Sequence, residues 1–254
     1  MRGERIPLSR IRVTVNDLLD LSRDFPSIPV QRTINVSAVL QARSELADRP
    51  SWTALFTKAY AIVSDEFPQL RRAFIKLPSP HLRQYPTSVA CIAFEREFEG
   101  DVGVLTARIK NPARMPLRNL TRRLQRFTTD PVERVHDFRR LLTLAKYPRW
   151  VRRIVLSLAL NSPRHKRNHF GTFSVSVYSG LGAESLHPIA PVTSVLNYGV
   201  IGTGGMVFVR VIYDHRVLDG ATIARALARL EAVLAEQIVP ELHSLKATEQ
   251  RGVG

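Results

Sequence analysis

The chain has 254 residues, of which 44% are hydrophobic, so it can bury a sizeable core. No apolar run approaches the length of a membrane span or follows the pattern of a secretory signal, and a cytoplasmic protein is expected. The formal net charge of +15 raises nucleic acid as a partner, but nine of the 37 Lys and Arg residues fall within 138–168 without one acid, and few aromatic residues lie among them, so no nucleic acid is expected.

The amino-terminal part of the chain mixes helical and extended patterns. A short helix is expected to end near Ser22, and the loose alternation over 28–36 predicts a strand. Ser37 then begins a helix that reaches about Leu46, with its hydroxyl as the cap. Ser51 caps a second helix, whose wide apolar stripe should pack on a sheet.

The middle of the chain predicts a strand pair followed by helices. Strands are expected over 87–94 and 102–107, joined by an acidic turn, and their near-continuous apolarity indicates a covered sheet. Residues 115–127 form an amphipathic helix. A basic insertion of about residues 128–168 follows. The single cysteine, Cys91, lies in the first of these strands, which predicts a reduced, buried thiol.

The carboxyl-terminal part predicts three strands, over 171–177, 192–201 and 206–213. A helix follows from about Ala221, and the polar tail of about 243–254 is expected to be loose. Strands and helices do not alternate strictly, and no repeat appears. The pattern favours a single α+β domain over residues 1–254, with a mostly mixed sheet.

The segment Tyr213–Gly220 joins the last strand to the helix through an exposed polar corner. His215 stands at the strand end, and a carboxylate, Asp219, follows four residues later. A rigid scaffold there can hold an imidazole against a cleft as a general base. The alternative is structural: Asp219 caps the helix and Gly220 eases the turn, which leaves His215 without a role.

The motif around His215, between a predicted strand and a predicted helix, resembles that of the catalytic domain of 2-oxoacid dehydrogenase acyltransferases, the dihydrolipoamide acyltransferase components. Chloramphenicol acetyltransferase shares their fold. The matching stretches occur in the family's order: Ile6–Arg12, Thr33–Arg43, Phe56–Ala59 with Pro68 and Leu70, Gly103–Asn111, Gly171–Ser176 and Tyr213–Ala221. The resemblance, over roughly residues 6–240, implies a chloramphenicol acetyltransferase-like two-layer α+β fold, with a mixed β-sheet covered by helices.

The resemblance also implies roles for individual residues. His215 would be the general base that takes a proton from the attacking group, and Ser176 would donate a hydrogen bond to the oxyanion. Asp219 would brace the site by pairing with an arginine, for which Arg10 is the first candidate and Arg12 the second. No activated nucleophile is apparent, so direct transfer in a ternary complex is expected.

The family builds its active site between subunits, with the base from one and the oxyanion donor from its neighbour, so a homotrimer or larger homo-oligomer is implied. The 254 residues contain no lipoyl or subunit-binding domain, and free acyl-CoA or an acyl carrier protein is therefore the expected donor. The acceptor could be a thiol, hydroxyl or amine. No covalently bound cofactor is implied. The alternative is a catalytically inactive trimeric scaffold or partner-binding protein of the same fold.

The basic insertion departs from the family, whose connection here is shorter. Residues 149–160 have the character of an interfacial helix and could lie on an anionic membrane or grip an acidic carrier protein or the phosphates of coenzyme A. The favoured alternative is that their apolar face packs within the protein's own oligomer.

The histidines other than His215 show no pattern that points to a catalytic or metal-binding role. His187 could contact substrate in the cleft. The others are expected at the surface: His81, His136, His165, His169 and His243. Only His165 and His169 approach ligand spacing, and no metal is expected.

Overall fold

A computed structural model describes residues 3–251 of the chain. The helices within that range are α1 (Arg10–Ser22), α2 (Ser37–Ser44), α3 (Trp52–Glu66), α4 (Leu117–Thr129), α5 (His136–Leu144), α6 (Arg149–Asn161), α7 (Pro163–Phe170), α8 (Gly220–Val233) and α9 (Val239–Arg251). The strands are β1 (Ser27–Asn35), β2 (Arg72–Ile75), β3 (His81–Gln84), β4 (Val89–Phe98), β5 (Asp101–Lys110), β6 (Phe173–Val175), β7 (Ser194–Tyr198) and β8 (Met206–Asp214).

Six strands form one mixed sheet in the order β1-β8-β7-β6-β4-β5. The pairs β4–β6 and β6–β7 are parallel, and the other pairs are antiparallel. Strands β2 and β3 form a separate hairpin. The mixed α+β sheet expected from the sequence is confirmed.

The main hydrophobic core lies on one face of the sheet, under α3 and α8. Phe56 of α3 stacks on Tyr198 of β7 at a ring separation of 4.3 Å, and both are buried. The Ser51 hydroxyl accepts a hydrogen bond from the Ala54 amide at 3.2 Å, which confirms the predicted cap of α3. This layer is the helical cover that the apolar stripe of α3 predicted.

The opposite face of the sheet is covered by the basic insertion. Because side chains alternate along a strand, Val195 points away from the main core, and it packs instead with Ile212, Phe170 and Ala159. Helices α5, α6 and α7 make up this cover together with α1. The insertion therefore belongs to the folded structure around the sheet.

Three local predictions are corrected by the structure. Helix α2 starts at Ser37 itself, so the cap position is Val36 and the Ser37 hydroxyl makes no cap bond. The Asn35 side chain accepts from the Ser37 amide at 2.8 Å. The strand pair β4–β5 is longer than expected, and its turn is only Glu99–Gly100, both at positive φ. The tail expected to be loose from about residue 243 is helical as far as Arg251.

Contacts with the amino-terminal half explain the order of that tail. Lys246 pairs with Glu45 at 2.9 Å, and the Glu249 carboxylate accepts hydrogen bonds from the amides of Ala47 and Asp48 at 3.3 and 3.4 Å. A polar sequence alone does not show such partners. Residues 252–254 of the predicted tail lie outside the described residues.

Candidate active site

His215 stands at the corner where β8 ends and α8 begins. Its amide donates to the Pro26 carbonyl at 3.0 Å, and its Nδ1 lies 2.9 Å from the Leu218 carbonyl oxygen. A carbonyl can only accept, so in the neutral imidazole Nδ1 carries the proton and Nε2 keeps a free lone pair. The side chain is 46% exposed. The corner thus presents an oriented, accessible nitrogen base.

An ion pair between Asp214 and Arg216 holds the corner that carries His215. The Asp214 carboxylate is almost fully buried and accepts from the Arg216 guanidinium at 2.9 and 2.7 Å. The Asp214 amide also donates to Thr193 of the neighbouring segment at 2.9 Å. Paired and hydrogen-bonded charges of this kind hold a short turn in one conformation. The backbone that carries His215 is consequently rigid.

Asp219 occupies the first position before α8, but its side chain makes no capping hydrogen bond. The structural alternative for Asp219, a capping carboxylate, is therefore wrong. The carboxylate is 84% exposed, and its Oδ1 lies 3.8 Å from His215 Nδ1.

The predicted pairing of Asp219 with Arg10 is not made within one chain. Arg10 instead donates to Glu99 at the tip of the β4–β5 hairpin, with its Nε 2.7 Å from Glu99 Oε2. Arg12 donates to the Val102 carbonyl at 3.3 Å. The reason is packing: α1 lies against β5, where Ile11 is fully buried, and β5 is the sheet edge away from β8.

Ser176 follows β6 directly and is half-buried. Its amide donates to the Leu196 carbonyl at 3.2 Å, and its own carbonyl accepts from the Asn197 side chain at 2.6 Å. Ser176 lines a cavity of about 690 Å³ on the insertion-covered face of the sheet, a volume within the range of small-molecule sites. The serine is thus held at the edge of a cavity that can contain a substrate.

Ser176 and His215 do not meet within one chain. Ser176 is level with Asn197 of β7, whereas His215 is level with Val192, and one strand lies between them. Five residues along a strand and two strand spacings place their Cα atoms roughly 20 Å apart. One copy of the chain therefore carries both groups but cannot bring them to the same carbonyl.

His187 connects the cavity to the corner. Its Nε2 lies 2.8 Å from the Ser27 hydroxyl, and Ser27 pairs with Asp214 at the end of β8. His187 also lines the cavity. The suggestion that it contacts substrate stays a prediction.

Sequence reasoning missed a polar group in the cavity wall, formed by Arg108, Asp137, Arg140 and His169. His169 was expected at the surface, and this is wrong: the ring is half-buried beneath two arginines. Arg108 carried a usable signal, because a charged residue on a strand of a covered sheet requires a partner. Its partner, Asp137, lies on an insertion helix that sequence patterns could not place.

Cys91 faces the same cavity but is not a candidate nucleophile. Burial raises the pKa of its thiol to about 11, so the sulfur stays protonated at neutral pH. The predicted buried, free thiol is confirmed. Within residues 3–251, no three His, Cys, Asp or Glu side chains are arranged to hold a metal ion. In the same range, no helix combines the length and apolarity that crossing a bilayer requires.

No protein-family description and no curated protein sequence matches the chain. Solved structures do match. A dihydrolipoamide acetyltransferase (E2p) from Azotobacter vinelandii superposes with a TM-score of 0.65 at 19% identity, covering 95% of this chain and 94% of its own. The cubic core of the pyruvate dehydrogenase multienzyme complex gives 0.62 at 18% identity, with 95% and 94% covered.

Chloramphenicol acetyltransferase gives a TM-score of 0.50 at 14% identity, with 90% of this chain and 96% of that chain covered. At such low sequence identities the structural similarity is evidence for a shared fold alone. The chain therefore has the chloramphenicol acetyltransferase-like fold of dihydrolipoamide acetyltransferase cores, as its motifs predicted.

Proposed function

We propose that the protein is an acyltransferase that moves an acyl group from a thioester donor to a thiol, hydroxyl or amine acceptor. The observation that carries this proposal is the state of His215: Nδ1 is committed to a carbonyl, and Nε2 is left accessible as a base. The fold shared with acetyltransferases supports the same reaction class.

In the proposed reaction, Nε2 of His215 removes the proton from the acceptor as that group attacks the thioester carbonyl. The Ser176 hydroxyl donates to the resulting oxyanion. The tetrahedral intermediate collapses by breaking the carbon–sulfur bond, and the departing thiolate takes the proton back from the imidazolium. No covalent acyl-enzyme forms. The Azotobacter enzyme has a serine, a histidine and an asparagine studied for their role in its mechanism, and its histidine and asparagine are four residues apart, like His215 and Asp219.

The donor is proposed to be acyl-CoA or the thioester of a separate carrier protein. The support is chemical: a general base with an oxyanion donor suits thioester attack and requires no bound cofactor. With acyl-CoA as the donor, coenzyme A is a product that is released once per transfer.

The complete site is proposed to form between two copies of the chain, in a homotrimer or a larger homo-oligomer. The separation of roughly 20 Å between Ser176 and His215 supports a second copy, since the paired strands of one sheet hold the two residues at that distance. The similar fold of a multienzyme cubic core supports self-association.

The alternative of an inactive scaffold makes a different prediction for His215. We expect His215→Ala to lower acyl-CoA-dependent release of free CoA by about 10²–10⁴-fold, the usual contribution of a general base. The measurement is thiol release across acyl chain lengths. His243→Ala, which changes an exposed histidine on α9, is the matched control and should keep full activity. Equal rates in wild type and His215→Ala would leave the scaffold as the better explanation.

A further inference from the structure

The cavity beside Ser176 is mostly apolar, and several charged side chains lie together at one part of its wall. Its apolar lining comes from the sheet, from α1 and from the insertion helices, and includes Leu18, Val104, Leu144, Val155, Leu156 and Val195. The charged part of the wall, here called the polar end, is formed by Arg108, Asp137, Arg140 and His169. A cavity of this kind fits a molecule with an apolar chain and one polar terminus.

The polar end carries more positive charge than its carboxylate can neutralise. Arg108 is paired with Asp137, with its Nε 3.1 Å from Asp137 Oδ2, and both side chains are mostly buried. Arg140 donates to the imidazole of His169, with its Nη2 2.6 Å from His169 Nε2. Across residues 3–251, no carboxylate oxygen lies within 4.0 Å of the Arg140 guanidinium nitrogens. The solvent-exposed Arg140 guanidinium is therefore without an anion.

The donors at this end also exceed the acceptors. Arg108 Nη1 lies 3.4 Å from His169 Nδ1, so both ring nitrogens of His169 face arginine N–H groups. A neutral imidazole can accept at only one nitrogen. Burial, followed by the charges of Arg140 and Arg108, lowers the pKa of His169 to about 4, so the ring is neutral at pH 7. An acceptor group placed here would complete the hydrogen bonding.

The strand register gives the distance from this end to Ser176. Ser176 is level with Ala93 of β4, and Arg108 lies one strand beyond and two residues along. The corresponding Cα separation is about 12 Å. A substrate whose reacting carbonyl is near Ser176 can thus extend an apolar chain to the arginines.

We propose that this cavity binds a substrate whose apolar chain ends in a carboxylate, which is received by Arg140 beside Arg108 and His169. The inference rests on the proposed acyl transfer for the position of the reacting end. A carboxylate matches the planar guanidinium fork of Arg140, which can donate two parallel hydrogen bonds to it. The carboxylate belongs either to the acyl group or to the acceptor.

Binding of simple probes tests the charged end without catalysis. Isothermal titration calorimetry should show that decanoate binds wild type more tightly than decanamide does, and that Arg140→Gln weakens decanoate binding by about 10–100-fold, the range for hydrogen bonds to charged groups. Arg153→Gln, which removes an exposed charge from the same insertion, is the control and should bind as wild type does. Arg140→Lys, which keeps the charge without the fork, should be intermediate.

Equal affinity for decanoate and decanamide in wild type, or an unchanged preference in Arg140→Gln, would overturn the inference. His215→Ala should lose acyl transfer but retain decanoate binding. Transfer that persists in His215→Ala would count against the proposed function, whereas absent decanoate binding in wild type would count against this inference. A lower KM for a sebacoyl thioester than for a decanoyl thioester would place the carboxylate on the acyl group. The same preference among acceptors would place it on the acceptor.

Discussion

The orientation of the His215 imidazole is set by the carbonyl of Leu218, three residues further along the chain. The 2.9 Å contact to Nδ1 fixes the tautomer, and the Asp214–Arg216 pair holds the turn that carries both groups. A base in this arrangement requires no rearrangement before it takes a proton. Local backbone geometry, rather than a neighbouring carboxylate, therefore prepares the candidate base.

At the same scale, His169 makes stability depend on pH. Burial, Arg140 and Arg108 lower the pKa of His169 from 6.5 to about 4. Between these values the unfolded chain binds a proton that the folded chain does not, so this histidine makes the free energy of unfolding fall as the pH drops from 6.5 to 4. His169→Gln should reduce that slope in urea unfolding.

The matched control for this prediction is His243→Gln, because His243 is exposed on α9. It should leave the pH dependence of wild type unchanged. Parallel pH profiles for wild type and His169→Gln would contradict the assigned role of His169.

Among the elements, α6 has an apolar face that no part of residues 3–251 covers. Trp150, Ile154 and Leu158 are four residues apart, so they lie along one side of the helix, and they are 68%, 53% and 66% exposed. The other side packs inward through Ala159. Contiguous exposed apolar surface of this kind marks an interaction site. The helical character expected for residues 149–160 is confirmed, and its partner stays a prediction.

We expect this face of α6 to pack within the homo-oligomer. Burial of each large side chain contributes about 1.5–3 kcal/mol, so Leu158→Asp should weaken self-association at least about tenfold, measured as a shift in molar mass by light scattering at low concentration. Ser157→Asp places the same charge on an adjacent exposed position and should have little effect. Unchanged molar mass together with lost sedimentation on anionic vesicles would assign the face to a membrane instead.

For the molecule as a whole, the sheet register decides where the active site can form. His215 and Ser176 lie on the same sheet but roughly 20 Å apart, with β7 between their strands. In a closed oligomer the corner of one copy can face the serine of the next. The catalytic unit is therefore expected to be an interface.

Mixed oligomers test that expectation. His215→Ala and Ser176→Ala chains should each be nearly inactive alone, but random co-assembly should restore about one quarter of wild-type activity. At each interface the chance of an intact His215 is about one half, and so is the chance of an intact Ser176. Co-expression at equal levels would supply this random mixture. A site within one chain predicts no recovery at any mixing ratio.

The sequence by itself determined the candidate base, the order along the chain of the six strands in the main sheet, and the fold, but not the β2–β3 hairpin. These depend on local signals: the apolar strand 206–213, the helix after Gly220 and the motif around His215. The ordered end of α9 escaped prediction because it is held by contacts with a distant segment. The longer hairpin escaped prediction because polar residues assigned to its turn pair as strand residues.

Tertiary structure alone decided which charged side chains meet. Arg10 pairs with Glu99 because α1 packs on β5, and Arg108 meets Asp137 and His169 because the insertion folds over the sheet. The two residues of each pair are separated by 29 to 89 positions in the sequence. Periodicity shows which face a residue lies on, but contacts between elements depend on how they pack, and packing is a property of the whole chain.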